Sequence, residues 1–182
     1  MINFNYIKGM LLASLFVFLS QAVFAETLSD RWYKIGYEYS QQGRNDDAFR
    51  WMIRAADAGH AAAQNNIGLS YLHGLGAEKD SNKAFHWFER AANQGLPYAQ
   101  SELAMLYYQG DGVAVNKQMA KDWWTVASKQ NDEYAQFNLA SLYLELNDIQ
   151  KAYYWFTIAN NNKHPDAQDA LEQLREMYVE QY

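Results

Sequence analysis

Cysteine is absent from the 182 residues, so neither a disulfide framework nor thiolate chemistry is open to this chain, and proline occurs only twice. Basic residues are outnumbered 21 to 15 by acidic ones. The net charge of −6 argues against a nucleic-acid binder, which needs a basic stripe. Beyond residue 19 no apolar run of bilayer-spanning length occurs, so stable membrane insertion is not expected there. No window alternates polar and apolar residues over a useful length, so strands are not expected either. What is abundant is apolar: 49% of the chain, enough for a core, within a length that fits about one domain of roughly 100–200 residues. The 14 Tyr, 9 Phe and 6 Trp are more than a small core easily hides. Their destination is the question the sequence poses.

Residues 1–25 read as a secretory signal. Lys8 precedes an apolar run from Met10 to Leu19, and a short tail ends in Val23-Phe24-Ala25 before Glu26. Small residues at the third and first positions before the cut suit the peptidase, and the run is too short to span a bilayer comfortably. An uncleaved N-terminal anchor is the alternative. A lipoprotein would need a cysteine near the cut. Cleavage removes one charged residue, Lys8, and leaves residues 26–182 to form the folded domain. The expected location is the periplasm of a Gram-negative bacterium, or outside the cell.

The remainder repeats. Ala-Gln recurs at 63–64, 99–100, 135–136 and 167–168, in steps of 36, 36 and 32. The pairs Ala48/Trp51, Ala84/Trp87, Ala120/Trp123 and Ala152/Trp155 keep the same steps, and so do the small residues starting at Ala55, Ala91, Ala127 and Ala159. Ile67, Leu103, Leu139 and Leu171 follow each Ala-Gln, with Tyr71, Tyr107 and Tyr143 four residues later. The shorter step has a visible cause, because the connector Glu145–Asp148 lacks the glycines of His73–Gly76 and Gln109–Val113. Such markers predict units of about 29–60, 61–96, 97–132 and 133–164, with a cap at 165–182.

Each unit reads as a helix pair. Ala63, Ile67 and Tyr71 lie four apart and share one face of a first helix; Ala84, Trp87, Phe88 and Ala91 keep the same period on a second. Gly59 and Gly95 stand where a helix end favours positive φ, Asn131 takes that place next, and Lys163 breaks the pattern. The string Ala-Ala-x-x-Gly, Ala-Gln-x-x-Ile/Leu-Gly/Ala, Tyr, Gly-x-Gly, Lys-Ala-x-x-Trp resembles the Sel1-like repeat family over about residues 29–175. The first unit, with Trp32, Ile35, Gly36 and Tyr39, is closer to the related tetratricopeptide pattern. After Leu171 the chain turns polar, as a terminal unit with one solvated face requires. The resemblance implies an all-α, right-handed α-solenoid of helix-turn-helix repeats closed by a C-terminal capping helix.

Chemistry-bearing constellations are not found. His60, His73, His86 and His164 fall in different units and make no metal-binding pair on one helix, so no metal is expected. Asp111 between Gly110 and Gly112 lacks the further oxygens of a calcium loop. No nucleophile elbow, Ser-x-x-Lys or phosphate loop occurs, so neither catalytic residues nor cofactors are expected. Some cysteine-rich relatives within the resembled family are linked to β-lactam hydrolysis. A hydrolase acting on cell-wall fragments or β-lactams is therefore the alternative function, although this chain lacks those cysteines.

First helices line the concave face of such solenoids. If the Tyr71-type residues pack, the outward positions are Tyr33 and Tyr37, then Asn65 and Leu69, then Tyr98, Ser101, Met105 and Tyr108, then Tyr134, Phe137 and Ser141. This set is too aromatic for a solvated face, and tyrosine and methionine are enriched at recognition surfaces. The expected function is non-catalytic: an adaptor or scaffold of the cell envelope, or a secreted protein, that holds a peptide or protein segment in an aromatic groove. Self-association through the same patch is a further possibility. The acidic charge adds an expectation of basic partners.

Overall fold

A computed structural model describes residues 27–179, so the secretory-signal reading of residues 1–25 lies outside the described residues. Among them are nine α-helices and no strand: α1 (Leu28–Gln41), α2 (Asn45–Asp57), α3 (Ala61–His73), α4 (Ser81–Asn93), α5 (Pro97–Gln109), α6 (Lys117–Ser128), α7 (Glu133–Glu145), α8 (Ile149–Asn161) and α9 (Ala167–Val179). None is long and apolar enough to cross a membrane. Helix starts follow local chemistry. The side chains of Asp80, Asn116 and Asp148 accept the backbone N–H groups of Lys83, Met119 and Lys151, which have no carbonyl partner within the helix. Leu96 offers no such acceptor, but Pro97 at the first helical position has no N–H to satisfy.

Helices pack chiefly on their neighbours in sequence, which is the signature of a solenoid. The core is accordingly a chain of four clusters, one at each junction between units. Fully buried alanines, Ala55 facing Ala63, Ala91 facing Ala99 and Ala127 facing Ala135, let successive helices approach closely. Within each unit a large side chain meets a small one. A Cβ on Gly36 would come within 2.6 Å of Met52, and one on Gly68 within 2.8 Å of Phe88. Ala104 with Trp124 and Ala140 with Phe156 repeat the pairing. The buried knob is therefore the residue after each repeated tryptophan. Trp87, Trp123 and Trp155 are half-buried and reach back onto the core of the preceding junction.

The Gly-x-Gly connectors have a steric cause beyond turn formation. Gly76 and Gly112 adopt φ of 73° and 71°, and a Cβ there would lie 2.2 Å and 2.1 Å from the carbonyl oxygens of Asn45 and Ser81. Each long connector is thus pressed against the start of the preceding unit's second helix. Lys163 adopts φ of 69° and completes the turn that Gly59, Gly95 and Asn131 make elsewhere. The break in sequence pattern is not a break in geometry, and the strain of a lysine there costs about 1 kcal/mol.

The glutamine of the first three Ala-Gln pairs is buried and bonded. Gln64, Gln100 and Gln136 each donate from the side-chain amide, at 3.1 Å, to Ala56 O, Ala92 O and Ser128 O at the end of the preceding helix. Their own Oε1 atoms accept from the side chains of Gln94, Gln130 and Asn162 at 2.7, 2.8 and 2.9 Å. Gln168 is exposed and bonds only side chains, those of Asn160 and Glu172. Replacing Gln100 by Ala removes its bond to Ala92 O, which keeps the Gly95 N–H at 2.9 Å, and takes away the acceptor of the Gln130 side-chain amide; it should cost about 2 kcal/mol, or about 6 °C in Tm. Gln168→Ala should change stability by less than about 0.5 kcal/mol in the same thermal melts followed by circular dichroism.

Candidate functional site

One position in each first helix faces the residue that starts the next unit's first helix. In the end units it is aromatic on histidine: Tyr33 stacks on His60 (centroids 4.4 Å apart, 21°), and Phe137 stacks on His164 (4.1 Å, 7°). His60 Nδ1 accepts the N–H of Ala63 at 3.1 Å and caps α3, while its Nε2 lies 3.4 Å from Asp30. In the middle units the same position is polar. Ser101 lies beside the Asp132 carboxyl and acts to lower it, and Asn65 has no partner for its Oδ1. Read from spacing as outward, Asn65 and Ser101 are in fact 7% and 5% exposed. The start of the next unit covers them, so they are not free contact residues.

The other residues of the expected surface separate into several environments. Tyr98, Ser101, Met105 and Glu102 of α5 form one wall of a groove of about 460 Å³. Tyr134, Phe137 and Asn138 of α7 form the other, and His164 and Asp166 close one end. Tyr98 and Tyr134 remain 41% and 48% exposed. Tyr37 and Leu69 line a separate recess of about 230 Å³ between α1 and α3. Tyr108 stands outside both. It leans on Trp124 and donates its hydroxyl to Glu145 at 2.9 Å, beside the Lys117–Glu145 ion pair. The Ser141 hydroxyl turns back to Phe137 O at 3.0 Å. The continuous aromatic face expected from spacing is therefore replaced by one principal groove across units three and four.

That groove is acidic as well as aromatic, which spacing alone did not show. Burial pushes the Tyr98 hydroxyl up to about 12, helped by the neighbouring charge of Glu102 and by a hydrogen bond to it. Burial also raises the Glu102 carboxyl; the Tyr98 hydroxyl and the charge of His73 oppose that shift, and Asp132 adds to it. Asp132 is raised for the same first reason, although its carboxylate caps α7 by accepting the Ala135 N–H at 2.7 Å. Burial lowers His164, against the pull of Asp166 and Glu133. The available sequence signal for Glu102 was its place four residues after Tyr98, on the same helix face. For His164 it was equivalence with His60. Among the described residues no three histidine or carboxylate side chains gather as a metal-binding group.

Helix pairs stacked so that each touches only its neighbours define a helical-repeat solenoid. Sel1 repeats match residues 33–60, 61–96, 97–132 and 133–164, and the chain belongs to the Sel1 repeat family. Its fold is close to that of a Sel1 repeat protein from Oxalobacter formigenes (30% identity, TM-score 0.74, covering 80% of this chain and 62% of that one). It is also close to a protective antigen of uropathogenic Escherichia coli strains displaying an SLR fold (29% identity, TM-score 0.73, 82% and 33%). A chitin synthase regulator of Saccharomyces cerevisiae is 39% identical over 49 residues, which are 27% of this chain and 7% of the regulator. The chain thus spans less than two thirds of each. Repeats of this family are generally non-catalytic protein-interaction modules.

The Glu102 environment makes a stability prediction. A carboxyl raised by burial favours the fold while protonated, and that contribution is lost as pH rises through its folded value. Once deprotonated, the half-buried group carries a charge that burial disfavours. Glu102→Gln should therefore raise Tm at pH 7 by about 2 °C, with the gain shrinking as pH falls towards the ordinary glutamate value of 4.5. A loss of Tm at pH 7 would show that the bond from Tyr98 outweighs the burial.

Proposed function

We propose that this chain is a non-catalytic interaction module of the bacterial cell envelope, or a secreted one, which holds an extended peptide or protein segment in the groove between α5 and α7. The observation that carries the reading is the pair Tyr98 and Tyr134, large rings about half-exposed on either side of a 460 Å³ groove in a protein with an otherwise orderly packed core. Tyrosine supplies contact area at small entropic cost and keeps a hydroxyl for water or a peptide carbonyl. Family membership supports a protein partner. The secretory-signal pattern of residues 1–25 supports export and an envelope partner.

Two measurements test this. Intact mass of the chain isolated from the envelope or medium of its own bacterium should correspond to a start at Glu26. A photo-crosslinking amino acid in place of Tyr134 should yield a covalent adduct with a partner protein, and Tyr98→Ala should diminish it at least about fivefold, since an aromatic anchor is worth on the order of 1 kcal/mol or more. The same amino acid in place of Arg54, exposed on a second helix, is the control. Equal adducts at both positions would sink the groove reading.

A further inference from the structure

The chain covers many of its aromatic rings with its own cations. Arg44 sits over Tyr39 at 4.3 Å, Arg54 over Trp51 at 4.9 Å and Arg90 over Trp87 at 4.4 Å. Lys83, Lys117 and Lys151 lie 5.1–5.3 Å from the rings of Tyr71, Tyr108 and Tyr143. Lysine and arginine are absent from the residues lining the α5–α7 groove, and among the described residues no such cation covers Tyr98 or Tyr134. Carboxylates are present instead. Glu102 lies in the wall beside the Tyr98 hydroxyl, Asp132 stands beside Ser101, and Asp166 is at the closed end. Two half-exposed tyrosine rings and a half-buried carboxylate whose basic neighbour is His73, not a lysine or arginine, make a site complementary to a delocalised positive charge.

A second observation points to a ligand with a backbone. His164 is only 6% exposed and lines the groove. Its Nδ1 accepts the N–H of Asp166 at 3.2 Å, which places the ring proton on Nε2. Among the described residues nothing accepts from Nε2. The ring is fixed by its stack on Phe137, so this donor is held ready for a carbonyl entering the groove.

We propose that the groove between α5 and α7 receives an arginine side chain from an extended protein segment, with the guanidinium against Tyr98 and Tyr134 and paired to Glu102, and a segment carbonyl on His164 Nε2. The inference rests on the binding function proposed above and names the side chain that anchors it. Arginine rather than lysine follows from shape. A planar guanidinium stacks flat on a tyrosine and still directs a fork of N–H groups at a carboxylate, which a compact, strongly hydrated ammonium does not. Among the described residues, the arginine Cζ atoms lie 4.3–4.9 Å from the ring centroids they cover and the lysine Nζ atoms 5.1–5.3 Å.

The probe is the tripeptide acetyl-Ala-Arg-Ala-amide, titrated to millimolar concentration into the ¹⁵N-labelled exported chain and followed by amide chemical shifts. Companion peptides carry citrulline, the neutral isostere, or lysine in place of arginine. The arginine peptide should shift amides around Tyr98, Glu102 and Tyr134, and the citrulline peptide should bind about tenfold more weakly, the loss of one charge-assisted contact. Glu102→Gln should weaken the arginine peptide about five- to tenfold and leave the citrulline peptide unchanged, a split that a purely structural role for Glu102 would not produce. Equal binding of citrulline and arginine overturns the inference but leaves a groove for neutral segments. Equal binding of lysine overturns the assignment to arginine. Shifts elsewhere, or none, also overturn it, while crosslinking at Tyr134 continues to report on the groove independently.

Discussion

Each buried glutamine of the repeat ties three helices together with one side chain. Gln100 shows how. Its amide reaches back to the last turn of α4 at Ala92, and its oxygen reaches forward to Gln130 at the end of α6. Apolar packing of alanines would let two units slide or rotate against each other at little cost, because dispersion contacts have no direction. A buried amide has a fixed geometry and is costly to leave unpaired. Gln64, Gln100 and Gln136 therefore set the angle at which each unit meets the next. Gln168, on α9, the last of the described helices, lies instead at the surface.

The groove depends on that angle. Gln100 sits in the junction, Ser101 beside it is sealed by Asp132, and Glu102 is the next residue into the open wall. A single turn of α5 thus carries the anchor, the seal and the carboxylate of the groove wall. The opposite wall is held in the same way, since Gln136 is fixed to Ser128 and Phe137 beside it stacks on His164. Both walls are set by the junctions rather than by flexible loops, which is the arrangement a preorganised binding surface requires.

The repeat was legible because its markers are local. Ala-Gln, Ala-x-x-Trp and the glycine connectors each report a contact within one unit or across one junction, and a fixed register carries them along the chain. The groove was legible only in part. Helical spacing placed Tyr98, Met105, Tyr134 and Phe137 on one face, the face that lines the groove, since that requires only the period of a helix. It could not show that Asn65 and Ser101 are covered, because the covering groups, at the start of the next unit, lie roughly 30 residues on. Tyr108 was misplaced for a similar reason: the difference between the groove and the Lys117–Glu145 side of α5 is a fraction of a turn. The acidic character escaped notice because Glu102 and Asp132 are ordinary solvated residues in sequence, and only the stacking of two units brings them beside Tyr98. His164 reads in sequence as an isolated histidine, and its stack on Phe137 belongs to the folded junction.

The end units and the middle units use one position to different ends. At both ends an aromatic ring lies flat on a histidine, a self-satisfied contact that closes the junction. In the middle the same position holds Asn65, with a buried unpaired oxygen, and Ser101, beside a carboxylate whose charge is disfavoured by burial. Glu102 adds a second carboxylate in that environment. A solenoid selected only for stability would repeat the aromatic–histidine stack at every junction. Groups that cost stability persist where the surrounding structure over-determines them, and they gather at sites that do something else. The Tyr98–Glu102–Asp132 cluster is such a group: its charges oppose the fold that holds them, and a cation arriving from outside is the partner that would offset the cost.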